Sequence, residues 1–301
     1  MAASLVLLKQ RAAIIRAVRG FFHGLDFFEV ETPIRLPACL PEAHIELQES
    51  GDWFLQASPE LCMKRLLASG AEAIFQICPC FRKHERGQRH LPEMTLLEWY
   101  RTAANYHSLM DDCEAMLTLV ARQCQTGGPL NSQGQRMDLS APWPRLSLKE
   151  AFARHASVDL QTAMLEDRFE EILTAEVEPC LGLDQPIFLY EYPASMASLA
   201  RLRADQPQLA ERFELYVNGI ELANGFSELN DPDEQRQRFD EERRLITSMG
   251  RQVGPMPEPF LADLRQMPEA AGIAMGLDRL VMLFTGSNSI EQVVSFTPED
   301  L

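Results

Sequence analysis

The stretch from Cys80 to Tyr100 constrains the fold of this chain more than any other. An apolar run, Ala73 to Phe81, leads into a loop carrying Lys83, Glu85, Arg86, Arg89 and His90, and a second run, Met94 to Tyr100, follows. Two runs of this length around a charged loop predict strand, long loop, strand. Period two along the second run puts Met94, Leu96, Glu98 and Tyr100 on one face. A carboxylate and a phenol on an otherwise apolar face need a partner, because an unpaired buried charge is expensive. A cationic substrate would supply one; a hairpin with a solvated tip is the alternative.

Charge and cysteines narrow the setting. A formal net charge of −16 argues against extensive contact with polyanions, whose affinity rests on cations that neutralise phosphates. Seven cysteines, an odd number without regular spacing, suggest reduced thiols in a cytoplasm. Lys9, Arg11, Arg16 and Arg19 precede the first acid, Asp26, but Leu5–Leu8 is too short for the apolar core of a signal peptide. No run approaches membrane-spanning length, so a soluble protein is expected.

Along the chain, Leu5, Leu8, Ala12, Ile15, Val18 and Phe22 predict a helix stopped at Gly24, followed by a short strand from Phe27 to Pro33. Ser58-Pro59-Glu60-Leu61 opens another helix, with Leu61, Leu66 and Leu67 on its buried side. Asp111–Cys124 reads as helix, and Gln125–Pro144 as a polar connection containing Gly127-Gly128-Pro129. Ser147 to Glu150 is a capping box, and Leu165–Val177 is amphipathic through Leu165, Phe169, Ile172 and Leu173. Residues 105–185 read as a helical insertion, and Pro186–Tyr192 returns to strand. Arg212–Val217, Asn218-Gly219 and Ile220–Ala223 form a hairpin with a type I′ turn. That turn pairs Tyr216 with Glu221 and puts Glu214 and Glu221 on one face, where two carboxylates repel unless a cation sits between them. Asp231, Pro232 and Glu234 cap a charged helix through Arg244. Ala271 to Arg279 reads as strand, glycine turn and helix start, with Leu277, Leu280, Val281 and Phe284 as the apolar stripe.

Phe81-Arg82, a loop, then His90-Leu91-Pro92-Glu93-Met94-Thr95 and Glu98-Trp99-Tyr100 resembles motif 2 of class II aminoacyl-tRNA synthetases, in the lysyl branch. The first helix and strand resemble motif 1, which builds a dimer interface in that family, and Gly276-Leu277-Asp278-Arg279 resembles motif 3. Ala223 to Asp231 is similar to the lysine-pocket run of lysyl synthetases. The three motifs in family order span essentially the whole chain. Glu98-Trp99-Tyr100-Arg101 and Gly219 to Phe226 look closer to the stand-alone lysyl-synthetase paralogues of the GenX/PoxA/EpmA family. The resemblance implies an α+β fold, a mainly antiparallel sheet flanked by helices, in one catalytic domain over residues 1–301 without an anticodon-binding domain.

It also implies the chemistry. Members of that family activate lysine, preferably (R)-β-lysine, with ATP and pass it to a lysine of elongation factor P. Arg82 is expected on the α-phosphate and Arg279 on the γ-phosphate, with Gly276 close to the nucleotide. Lys83, His84, Glu85, Leu91, Met94, Glu221 and Leu222 occupy the remaining ATP-contact positions. Ser58, Pro59, Glu60, Glu98, Tyr100, Asn224, Phe226, Glu228 and Ala274 occupy those of the amino acid. Mg²⁺ between Glu214, Glu221 and the phosphates would relieve the carboxylate repulsion. The chain departs from the family pattern at the adenine: Leu91 stands where Asn is usual, Met94 where Phe stacks, and Lys83-His84 follow Arg82 where Asn-Glu is usual. The expectation is therefore an ATP-dependent ligase, cytoplasmic and homodimeric, that uses neither tRNA nor membrane. A non-catalytic regulatory paralogue and a minimal tRNA-aminoacylating enzyme are the alternatives.

Overall fold

The structure, a computed structural model, describes residues 3–124, 130–132 and 135–301. Helix α1, Leu5–Gly24, begins where the Ser4 side chain accepts the Leu7 N–H, and it buries Ile14, Val18, Phe21 and Phe22. The principal sheet has eight strands, β1 (Phe28–Glu29), β2 (Ala73–Phe81), β3 (Glu93–Thr102), β4 (Arg145–Ser147), β5 (Ile187–Tyr190), β6 (Arg212–Val217), β7 (Ile220–Ser227) and β8 (Ala270–Gly276). Their order is β1–β2–β3–β8–β7–β6–β5–β4. Only the two outermost pairs are parallel, so the expected antiparallel core is present. The strand expected over residues 27–33 is shorter: after Glu29 only the Val30 N–H still reaches β2, at Phe75 O.

Eight further helices follow among the described residues: α2 (Glu60–Ala68), α3 (Tyr106–Cys124), α4 (Leu148–His155), α5 (Leu160–Leu165), α6 (Phe169–Ile172), α7 (Pro232–Ser248), α8 (Glu258–Leu264) and α9 (Leu277–Thr285). Helices α1, α3 and α9 cover one face of the sheet around Phe22, Phe75, Trp99, Met110, Phe213, Ile273 and Leu280. Phe22 stacks on Phe75 with ring centres 4.8 Å apart. Arg11 of α1 pairs with Asp278 of α9 at 2.6 Å, and Asp278 also accepts the Thr95 N–H at 2.7 Å, which ties both helices to β3. On the other face α2, α7 and α8 build a second apolar cluster and α4 to α6 a third. The middle strands are left facing a cleft between these clusters.

Several expectations change here. Residues 105–185 are not helix alone: α3 packs in the principal core, starting earlier than expected at Tyr106, and Arg145–Ser147 is the edge strand β4. The helix expected over Leu165–Val177 breaks at Asp167, whose φ of 55° is left-handed, and Leu165 is 80% exposed. Phe169, Ile172 and Leu173 are buried as the spacing requires. The Ser147–Glu150 capping box forms, and α7 starts from Asp231, which accepts two N–H groups, and runs on to Ser248. Gly127-Gly128-Pro129 lies outside the described residues.

Candidate active site

The cleft encloses about 700 Å³. Its floor follows from strand parity. Leu97 and Trp99 of β3 point into the principal core, so Glu98 and Tyr100 point the other way. Glu98 is fully buried and accepts the Ser58 hydroxyl at 2.7 Å and the Tyr100 hydroxyl at 2.8 Å. Ser58 Oγ accepts the Glu60 N–H at 3.0 Å in turn, which fixes the start of α2. Burial first, and then Glu60, push the Glu98 carboxyl up to about 8. Behind it Glu228 is buried, and its partner is Lys64, whose ammonium also sits 2.5 Å from Glu60. Burial, opposed by Lys64 and reinforced by Glu60, pushes Glu228 up to about 8 as well. Glu60 and Glu228 thus share the Lys64 ammonium, while Glu98 is met by two hydroxyls and has no cation of its own among the described residues.

Two backbone details give this floor its shape. The hairpin pairs Val217 with Ile220 and Tyr216 with Glu221 as expected, with Asn218 and Gly219 both at positive φ. The register then shifts: Leu215 pairs with Ala223 and Glu214 with Asn224, so Leu222 is an extra residue. This bulge reverses the facing of β7, which lets Glu221, Asn224 and Phe226 all line the cleft. Ala274 sits between Glu98 and Asn224 in the ladder and lines the same floor. At Gly272 a Cβ would lie 2.2 Å from Tyr100 and 2.3 Å from Glu228 Oε1, so only glycine fits under that pair.

Glu214 and Glu221 do share a face, but protein groups already meet Glu214. It accepts Arg212 at 2.7 Å, Tyr192 at 2.6 Å and Tyr216 at 2.8 Å. Arg212 also donates to Asn224 at 3.1 Å and lies over the Tyr192 ring. Burial raises the Glu214 carboxyl above its ordinary value, with Arg212 opposing and Glu221 adding to the rise. Glu221 is more open and has one ion pair, to Arg279 at 3.4 Å. Among the described residues no three His, Cys, Asp or Glu side chains form a metal cluster.

The other end of the cleft carries the cations. Arg82 lines it beside Glu85, 3.7 Å away, and Arg82 Nε is buried without a hydrogen-bond partner among the described residues. Arg279 donates to Glu221 O at 2.7 Å and meets His90 Nε2. Burial, then Arg279, lower the His90 pKa, so its neutral ring accepts that contact. The loop between β2 and β3 is held by ion pairs of Arg86 with Glu291 and Glu299, and by Arg89 on Gly219 O.

Of the residues expected at the site, Ser58, Glu60, Arg82, Glu85, Glu98, Tyr100, Glu214, Glu221, Asn224, Phe226 and Ala274 line this one cleft. Glu228 lies directly beneath it, Pro59 caps α2, and Gly276 caps α9 beside Arg279. Lys83 and His84 turn away to Glu46, at 2.9 and 3.7 Å. The Leu91 and Leu222 side chains are packed in the principal core, and Met94 packs with Cys78, Cys80 and Leu96. The side chains of the two leucines thus bury against apolar neighbours and do not line the cleft. Lys64, Tyr192, Arg212 and Gly272 were not expected. Lys64 was readable as the i+4 neighbour of Glu60, and Arg212 as the i−2 neighbour of Glu214 on the same strand face. Tyr192 carries no local signal.

The family model for tRNA synthetases class II (D, K and N) matches residues 3–300. The elongation factor P–(R)-beta-lysine ligase of Salmonella dublin is 38% identical over 313 residues, covering 98% of this chain and 96% of its own. That of Pectobacterium atrosepticum is 38% identical over 315 residues, covering 99% and 96%. Similarity over nearly the full length of both chains places this protein in the class II tRNA synthetase family of the D, K and N type, alongside ligases of that name.

Proposed function

We propose that this protein is an ATP-dependent ligase that activates lysine or (R)-β-lysine as an adenylate and passes it to a lysine side chain of elongation factor P. The observation that carries this reading is the pairing of a buried carboxyl without a cation, Glu98, beside Glu60, Glu228 and Lys64 at one end of the cleft, with Arg82 and its unbonded Nε at the other. A diamine carboxylate is complementary to both ends: its ammonium meets Glu98 and Glu228, and its carboxylate turns toward Arg82. Guanidinium forks match carboxylate and phosphate oxygens. Arg82 then holds the reacting carboxylate and α-phosphate together while Arg279 holds the outer phosphates. Positioning and charge stabilisation suffice, and no side-chain nucleophile is needed.

Glu214 and Glu221 fit Mg²⁺. They lie on one face, Glu221 is open to the cleft, and carboxylate oxygens keep lone pairs beyond those used by Arg212 and the tyrosines. Bound there with the phosphates, the ion would neutralise charge developing on pyrophosphate. Ala274 under the α-amine supports a preference for (R)-β-lysine.

The acceptor reading is supported by the names of the relatives and by the net charge of −16, which disfavours tRNA. A homodimer through α1 and β1 is supported by the exposure of Leu5, Val6 and Phe28. Free thiols at all seven cysteines suit a cytoplasmic setting, and no described helix is long and apolar enough to cross a membrane. Incubation with ATP, labelled lysine or (R)-β-lysine, and either elongation factor P or tRNA tests the reading. Label is expected on the elongation factor. Label on tRNA would replace the acceptor, and absence of ATP–pyrophosphate exchange would favour a non-catalytic paralogue.

A further inference from the structure

Seven cleft carboxylates already have partners in the protein, Glu85 with Arg82 among them. Glu60 has Lys64, Glu98 has Ser58 and Tyr100, Glu178 has Tyr216, Glu214 has Arg212, Glu221 has Arg279, and Glu242 takes the Ala43 N–H at 2.7 Å. Glu42 is different. Its carboxylate lines the cleft and makes no hydrogen bond or ion pair among the described residues. Its backbone is held on both sides: Ile45 N–H donates to Glu42 O at 3.2 Å, and Arg251 donates to Ala43 O. A fixed loop with a free carboxylate is a positioned group, since the ordering cost has been met by neighbours.

Its location also matters. A second cavity of about 490 Å³, beside α7, shares Glu42, Ser195, Ser198, Leu199 and Glu242 with the cleft. Its lining is acidic on balance, with Glu234, Glu241 and Glu242 against Arg238, which pairs with Glu234. An acceptor that is itself an ammonium must come in, lose a proton and reach the adenylate carbonyl.

We propose that Glu42 receives the ammonium of the acceptor amine in this cavity and takes its proton before transfer. This inference rests on the reading that the acceptor is an alkylamine side chain. The ammonium gives one proton to the Glu42 carboxylate. The freed lone pair forms the C–N bond at the adenylate carbonyl, AMP leaves with the electrons of the C–O bond, and the second proton passes from the new amide nitrogen to solvent. The surroundings suit that task. Glu60 and Glu242 face Glu42 from α2 and α7, Arg82 and Arg212 from the loop and β6, and His44 stands exposed on its own loop. Burial first, then Glu60, push Glu42 up to about 7, with Arg82 opposing, which poises it for proton transfer near neutrality.

The test compares transfer with activation in Glu42→Gln and Glu42→Asp. Transfer is followed with three acceptors: elongation factor P, n-butylamine and hydroxylamine, the last of which is already neutral at pH 7. Activation is followed by ATP–pyrophosphate exchange. In Glu42→Gln the ratio of transfer to activation should fall at least about tenfold for the two alkylamines and far less for hydroxylamine. The rise of transfer rate through about pH 7 should disappear with it, and Glu42→Asp should restore both in part. An equal loss for all three acceptors, or transfer and exchange falling together, would overturn the proposal. Wild-type protein that acylates n-butylamine but not elongation factor P would sink the acceptor reading, and the n-butylamine ratio would still decide the role of Glu42.

Discussion

The two ends of the cleft are built in different ways. The amine end is cut from strand faces and one helix start: Glu98, Tyr100 and Glu228 are almost completely buried, and their hydrogen bonds and ion pairs are made before any substrate arrives. The nucleotide end is carried by a loop, a hairpin and a helix N-terminus, with Arg82 and Arg279 beside the half-buried Glu85 and Glu221 and the loop tied at the surface by Arg86 to Glu291 and Glu299. Burial raises the cost of every mismatch at the first end, because a displaced charge there has no water to turn to. At the second end solvent screens such changes. The amine end should therefore set selectivity, and the nucleotide end should set rate through a few groups aimed at the phosphates.

Arg82→Ala should have the largest effect. Its Nε is buried without a hydrogen-bond partner among the described residues, so the protein forfeits no internal hydrogen bond at that atom when the side chain goes. Exchange of pyrophosphate into ATP should drop by about 10²–10³, the scale for loss of one preorganised donor to developing charge. The melting temperature should hardly move. Exchange near the wild-type rate would mean that the cation serving the α-phosphate is another group.

Gly272→Ala and Gly276→Ala compare the two ends directly. The added Cβ at Gly272 would overlap Tyr100 and Glu228, whereas at Gly276 it would meet Arg279 Cδ at 3.4 Å, an ordinary contact. Overpacking of a fitted site costs about 1–3 kcal/mol, so the KM for lysine should rise about ten- to hundredfold in Gly272→Ala while the KM for ATP changes little. Gly276→Ala should leave lysine affinity alone and act on ATP. Steady-state kinetics with each substrate varied in turn would show it. A reversed pattern would mean that the ends of the cleft have been assigned the wrong way round.

Next comes a pH effect confined to the amine end. Glu98 and Glu228 are pushed up to about 8 in the free protein, so both are largely protonated at pH 7. A bound ammonium favours their charged forms, so lysine binding should release protons. Affinity should then rise with pH up to about 8 and level off above it, by at most about tenfold per pH unit for each proton released. Calorimetry in two buffers of different ionisation enthalpy would count those protons, and Glu98→Gln should remove its share. Heats that do not depend on the buffer would mean that the carboxyls are already ionised.

How much of this was readable in the chain depends on the same contrast. Strand parity placed Glu98 and Tyr100 on one face from residues 94–100 alone, because period two carries directional information wherever one face is buried. The turn at Asn218-Gly219 was equally legible. The bulge at Leu222 was not, since nothing local requires an extra residue there, and it decides that Asn224 and Glu221 face the same way. Leu91 was expected near adenine because it sits in a motif, yet in a folded chain an apolar side chain next to a core closes onto it. The partners of Glu214 were missed for a related reason: Tyr192 comes from a distant segment, and sequence spacing says nothing about such approaches.

The smallest expected effect concerns one methyl group on the floor. Ala274 lies between Glu98 and Asn224 in the ladder and lines the cleft. With the substrate posed as proposed, its methyl group takes space that an α-amine would use, whereas a β-amine lies one carbon further along. Ser58 is held by Glu98 at 2.7 Å, so its hydroxyl proton is already committed and it is less able to serve a new amine than its position suggests. The selectivity should then come mainly from Ala274. Ala274→Gly should narrow the advantage of (R)-β-lysine over α-lysine by about tenfold, the effect of roughly 1–2 kcal/mol of relieved crowding. It should do so by improving α-lysine, with little change for (R)-β-lysine, because removing an obstruction helps only the substrate that meets it. Measuring kcat/KM for both lysines in pyrophosphate exchange separates the possibilities. Equal gains would mean that glycine loosened the whole strand, and an unchanged ratio would move the cause of selectivity to the Ser58 side of the pocket.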